Sequence, residues 1–235
     1  MAHAALPISL RHRLGNAHTV FQERVLSFSR SIVFESPCRE ADTAEAASLV
    51  AFRFGSAADL SALREHEHDY SPAAKRFGFE RLDEGDSIVV GESAGAILFY
   101  AWLMYRQIEL DEGVCVPVAP GMVYSYKVFT AANARGRGIC GAYYRFIRPL
   151  LAREGFSRLS CRVLAQNKAS LHAHCRAGFV ARGTFCRLLA AGSVLYRADA
   201  RLCPWLHETG LSGRFAEGRW VRRQDLLSPQ EVSLT

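Results

Sequence analysis

The segment Val123–Gly141, Val-Tyr-Ser-Tyr-Lys-Val-Phe-Thr-Ala-Ala-Asn-Ala-Arg-Gly-Arg-Gly-Ile-Cys-Gly, constrains the fold more than any other part of the chain. An aromatic and β-branched run over Met122–Thr130 reads as a strand, and the residues from 138 to 153 read as a helix. Between them, Gly136, Gly138 and Gly141 let the backbone turn tightly and come close to a ligand. The first N–H groups of a helix lack intrahelical partners, and its dipole favours negative charge there. A strand feeding such a helix start is a ready place for a phosphate, and Arg135 and Arg137 add charge-assisted contacts.

Two familiar phosphate loops do not fit. No Lys-Ser or Lys-Thr follows the glycines, which excludes a GxxxxGK[ST] loop. Gly136, Gly138 and Gly141 satisfy G-x-G-x-x-G literally. That loop belongs after the first strand of a βαβ series, however, and here it lies past mid-chain, behind an antiparallel region.

Around this segment the patterning predicts a short strand over Ser31–Glu35, a strand over Leu49–Phe54, and helices over 57–69 and 72–81. Ser87–Gly91 and Ala96–Ile108, separated by a Gly-containing break, read as an antiparallel hairpin. After the central helix come a strand over Ser157–Val163, a helix over 168–177, and closing strands over Gly178–Leu189 and Val194–Arg201. The order predicts an α/β (α+β) sheet of mixed direction with helices on both faces.

A second segment, Asn167-Lys168-Ala169-Ser170-Leu171-His172-Ala173-His174-Cys175-Arg176-Ala177-Gly178-Phe179, reads as an Asn turn, a short helix and a Gly-Phe restart into a strand. Together with the first, this strand–loop–helix–strand–N-x-x-S–helix–G-F arrangement resembles the GNAT superfamily of acyl-CoA N-acyltransferases. The family's Arg/Gln-x-x-Gly-x-Gly/Ala loop falls on Arg135, Gly136, Arg137, Gly138 and Ile139. Cys140 stands where the family has Gly or Ala, and Gly141 follows. The match is clear over residues 123–180.

The resemblance implies a GNAT-like mixed, mostly antiparallel central sheet, with an N-terminal arm or extension over 1–45, the acyltransferase-like domain over 46–203 and a C-terminal tail or loose cap over 204–235. It implies acetyl-CoA as co-substrate and transfer of its acetyl group to a primary amine by direct attack on the thioester. The backbone of Val128 and Thr130 would pair with the pantetheine amides. The N–H groups of Arg137–Gly141 would hold the pyrophosphate, and Asn167 and Ser170 would lie near the arm. The family often places a Tyr seven residues after the Asn to protonate the departing thiolate. Here that position is His174, which becomes the expected general acid. Family members often carry a Glu base on the motif strand, but Tyr124 and Tyr126 stand here, and no carboxylate lies between Gly121 and Arg153. Glu65, Glu67, Asp69, Glu109, Asp111, Glu112 and ordered water remain open as the base. Cys140, at a helix start beside arginines, invites an activated-thiol reading. The loop faces the pyrophosphate, so a plain loop residue is expected.

Composition narrows the partners. The seven cysteines are odd in number and have no CxxC pair, so neither a zinc site nor a disulfide framework is expected, and no metal. The longest apolar run, Ala94–Tyr105, is too short to span a membrane. With no secretory leader pattern, a cytoplasmic protein is expected. His66-Glu67-His68 reads as a solvated stretch, since i and i+2 do not share a helix face. The net charge of +6 hides an asymmetry: residues 1–120 hold 11 basic and 17 acidic groups, and residues 121–235 hold 18 and 6. The basic half suits an anionic donor. The acids Glu65–Asp86 suggest a small-molecule or protein acceptor bearing an amine. A longer acyl-CoA or acyl-carrier donor and a non-catalytic CoA sensor are the alternatives. The arginines are interspersed without an aromatic RNP-type stretch, so no nucleic acid is expected. Monomer and homodimer are both open.

Overall fold

The computed structural model describes residues 26–40, 49–111, 114–190, 193–199 and 220–223. The strands are β1 (Leu26–Pro37), β2 (Ala51–Phe54), β3 (Ser87–Ser93), β4 (Ala96–Met104), β5 (Gln107–Asp111), β6 (Val114–Pro117), β7 (Met122–Thr130), β8 (Arg158–Leu164), β9 (Val180–Ala190), β10 (Ser193–Ala198) and β11 (Val221–Arg222). The helices are α1 (Ala57–Ala62), α2 (Glu65–His68), α3 (Pro72–Asp83), α4 (Ile139–Arg153) and α5 (Lys168–Arg176), with a 3-10 turn over Ala132–Ala134.

Nine strands form one sheet in the order β11-β10-β9-β1-β8-β7-β4-β3-β2, and β5 pairs with β6 in a separate ribbon. Every junction in the large sheet is antiparallel except β7 with β8. This is the mixed, mostly antiparallel sheet expected.

Strand alternation sorts the core onto two faces. Val89, Phe99, Ala101, Leu103, Val123, Leu159 and Cys161 point to one face, where Ile139, Tyr143, Ile147 and Leu151 of α4 cover them at i, i+4 spacing. Ile88, Val90, Tyr100 and Trp102 point to the other, under Leu60, Leu63 and Tyr70 from the α1–α3 region. Helices therefore cover both faces, as the element order predicts.

Three differences from the sequence reading have physical causes. The predicted strand over Ser31–Glu35 is twelve residues long, and it lies inside the sheet between β8 and β9. Part of the extension drawn over 1–45 is thus a central strand. The helix predicted over 57–69 is two: Leu63 (ψ 136°) and Arg64 (ψ 149°) are extended and break it, and Leu63 is buried at the break. His68 is buried, not solvated. Its Nδ1 accepts the Arg64 N–H at 3.0 Å, which leaves Nε2–H to donate to Ile97 O at 3.1 Å.

Of the C-terminal tail over 204–235, Val221–Arg222 pairs with β10. Trp220 is exposed, and Trp205 lies outside the described residues. No described helix is long and apolar enough to cross a membrane.

Candidate active site

The parallel junction is short. β7 and β8 pair from Met122↔Arg158 to Ser125↔Cys161 and then part. Beyond that point β7 stays on β4 as far as Thr130, while β8 stays on β1 as far as Leu164. The facing edges of Tyr126–Thr130 and Arg162–Leu164 have no strand between them among the described residues. A strand edge that no second strand covers can bind an extended ligand through its backbone. Val128 and Thr130 stand on that edge.

The glycine loop follows at the mouth of this split. Gly136 and Gly138 both have φ +75°, in the left-handed region, and a Cβ on either would meet nothing within 4 Å. Their space is open toward solvent, so glycine here serves conformation and approach, not packing. Gly138 caps α4, and Ala142 N–H bonds to Gly138 O at 3.0 Å. The N–H groups of Ile139, Cys140 and Gly141 precede that first intrahelical bond. No side chain caps this end, and the first turn holds no acid.

Arg135 Nε donates to Thr130 O at 3.0 Å, and its guanidinium lies 6.0 Å from the Phe129 ring centroid. It therefore shapes the loop as well as charging it. Arg137 is exposed. Arg145, which sequence reasoning missed, brings its Nη1 to 3.6 Å from where a Cβ on Gly141 would stand. The signal was its place one turn beyond Gly141 on the same helix face.

Ile139 is buried in the core. Burial also pushes the Cys140 thiol up to about 12, against the pull of Arg148, which removes the activated-thiol reading. At about pH 8 only roughly one thiol in ten thousand would be ionised. Mild alkylation should therefore label the exposed Cys175 and leave Cys140 unmodified, read by peptide mass spectrometry.

Asn167 and Ser170 form the start of α5. Asn167 Oδ1 accepts the Ser170 N–H at 3.1 Å, an N-cap that occupies the side chain expected to face the pantetheine arm. Ser170 also holds His174, whose Nδ1 lies 2.7 Å from Ser170 O and 3.3 Å from Ser170 Oγ. A carbonyl only accepts, so Nδ1 carries the proton. Burial lowers the His174 pKa, so the ring is neutral and Nε2 accepts from the Tyr144 hydroxyl at 2.8 Å. The ring is 3% exposed and packs among Phe34, Tyr144 and Phe179. His174 thus has no N–H directed at the split, and the general-acid role expected for it does not fit this geometry. It orients Tyr144, which neighbours Cys161 and Ser125, the last residues paired before the strands part.

The acids read as one acceptor patch do not converge. Asp69 lies near Lys127 of β7, Glu67 pairs with Arg64 at 3.7 Å, and Glu84 and Asp86 both pair with Arg81. Arg81, Glu84, Asp86 and Arg106 line a cavity of about 460 Å³. It sits at the Met104 end of the sheet, whereas the glycine loop sits at the Thr130 end. The side chains of Glu109 and Asp111, and all of Glu112, lie outside the described residues.

No family model matches the chain. No curated protein matches it in sequence. Solved structures do match in shape. A GNAT-family acetyltransferase from Colwellia psychrerythraea aligns over 74% of this chain and 59% of its own, at 14% identity and a TM-score of 0.49. A GCN5-related N-acetyltransferase from Sphaerobacter thermophilus aligns over 76% and 57%, at 16% identity and 0.49. A functionally unknown conserved protein from Staphylococcus epidermidis aligns over 81% and 69%, at 8% identity and 0.47. The chain thus spans less than two thirds of the length of either acetyltransferase. At these identities the likeness carries neither a reaction nor a substrate across.

Proposed function

We propose that this chain is a GNAT-type N-acetyltransferase that moves an acetyl group from acetyl-CoA to a primary amine. The observation that carries the reading is the opening of the sheet after Ser125 and Cys161, with an uncapped helix start and a left-handed glycine loop at its mouth. An elongated ligand with an anionic end fits that combination. Its extended arm would lie along the edge at Val128 and Thr130. Its pyrophosphate would meet the N–H groups at Arg137–Gly141, with Arg135, Arg137 and Arg145 supplying charge.

The reaction is then attack of a neutral amine on the thioester carbonyl. A backbone N–H of β7 stabilises the oxyanion as it forms. The basic second half of the chain favours an anionic donor, and steering of that kind weakens with salt.

Titration calorimetry with acetyl-CoA, decanoyl-CoA and free CoA tests the reading, followed by release of CoA thiol in the presence of a panel of amines. Binding of acetyl-CoA with amine-dependent thiol release is the expected result. A preference for decanoyl-CoA would move the donor to longer acyl groups. Binding without turnover on any amine would make the chain a CoA sensor, and no binding to any of the three would overturn the reading.

A further inference from the structure

Lys127 is one of only three lysines in the chain, with Lys75 and Lys168. It stands two residues beyond Ser125, on the stretch of β7 that has just left β8. Trp102 pairs with Tyr126 and Tyr100 with Phe129, so Lys127 and Val128 together face Ala101 and β7 bulges at this point. Lys127 has φ +48°, a left-handed conformation that non-glycine residues rarely adopt. Bulges re-aim side chains, and strain of this kind gathers at functional sites. Here the Lys127 side chain turns to the α1–α3 side of the sheet. Its Nζ lies 4.5 Å from the centroid of the Tyr70 ring. Loss of water around the amine lowers its pKa from the ordinary lysine value, against the opposing pull of Asp69.

A primary amine is therefore held against the Tyr70 ring, on the face away from the start of α4, and its residue stands on the stretch of β7 that borders the split. We propose that Lys127 is an acyl acceptor within the chain, acetylated by acetyl-CoA bound in the split. This inference rests on the acetyl-CoA reading above. In the step, the neutral Nζ attacks the thioester carbonyl, a C–N bond forms and the C–S bond breaks. CoA leaves as thiolate and takes the proton lost by the ammonium nitrogen, giving N-acetyl-Lys127 and free CoA thiol. Proximity makes the reaction first order in the complex.

The other lysines are internal controls. Lys168 is exposed at the start of α5, and Lys75 Nζ donates to Ser61 O at 2.8 Å. Neither stands on β7.

The test incubates the full chain with acetyl-CoA near neutral pH and follows acetylation of each lysine-containing peptide by mass spectrometry, beside calorimetry of acetyl-CoA binding. The expected result is one acetyl group on Lys127, appearing at least about tenfold faster than on Lys168 and at a rate independent of protein concentration. Lys127→Arg should stay unlabelled, and Gly138→Asp should lose the preference for Lys127. Acetyl-CoA binding with Lys127 unlabelled, or labelled no faster than Lys168, would overturn the inference and leave the function standing. Absence of acetyl-CoA binding would overturn both.

Discussion

Gly138→Asp should abolish acetyl-CoA binding, weakening it at least about 100-fold, or about 2.7 kcal/mol, in calorimetry. Gly138 is left-handed and caps the only end of α4 that could face a pyrophosphate. Asp is among the few residues enriched at positive φ, so the backbone should keep its course. A Cβ there meets nothing within 4 Å, so no packing is disturbed. What changes is charge: a carboxylate now stands where the phosphate oxygens would, against the free N–H groups of Ile139–Gly141. Thermal stability should accordingly move little while binding is lost. Unchanged affinity for acetyl-CoA would remove the loop from the binding site and with it the assignments of Arg135, Arg137 and Gly141. Gly138→Trp should lose binding as well, by filling the same open space.

The second large effect is on stability. His174→Ala should destabilise the fold by about 3 kcal/mol, since it empties a buried site and leaves the Tyr144 hydroxyl without its acceptor. For a chain of this size that corresponds to a fall in Tm of about 6–12 °C. His174→Phe keeps the ring packing against Phe34 and Phe179 but removes both ring nitrogens, so it should cost only about 1–3 kcal/mol.

The pH dependence separates this buried role from a solvent-facing one. Burial holds the folded-state pKa of His174 below its unfolded value of about 6.5. Below that pH the unfolded chain binds a proton that the folded chain refuses. The contribution is therefore complete above about pH 6.5 and is lost as pH falls toward the lowered folded value. Urea unfolding at neutral and mildly acidic pH should show this loss in the wild type and less of it in His174→Phe. Equal slopes would mean that the ring titrates alike in both states and is not held neutral among Tyr144 and Ser170.

Local chemistry explains why much of this was legible in the chain. The strand over Met122–Thr130 matches its predicted bounds, and α4, β8 and α5 fall within a residue of theirs. Each has strong periodicity and an unambiguous stop in glycine, asparagine or a glycine-phenylalanine restart. The tight turn expected at the loop glycines is present, with Gly136 and Gly138 left-handed. β1 was only half legible. Ser27, Ser29, Arg30 and Ser31 do not read as an interior strand, yet β8 and β9 satisfy its backbone on both sides. Its buried Glu35 meets Arg182 Nε at 2.8 Å, a pairing that spans most of the domain in sequence.

The sequence by itself determined the mixed sheet, the helix that follows the glycine loop and the tight turn before it, because turn chemistry and periodicity act over a few residues. Only the tertiary structure decided what the histidine and the lysine face. His174 keeps the expected place after Asn167, but Tyr144 and Phe34 from distant elements close around it and turn a solvent-facing acid into a buried acceptor. Lys127 reads as one polar residue in a strand. The extra residue opposite Ala101 lets its side chain turn to the α1–α3 side, where its amine meets the Tyr70 ring. Both outcomes depend on long-range packing against side chains whose approach no local pattern encodes.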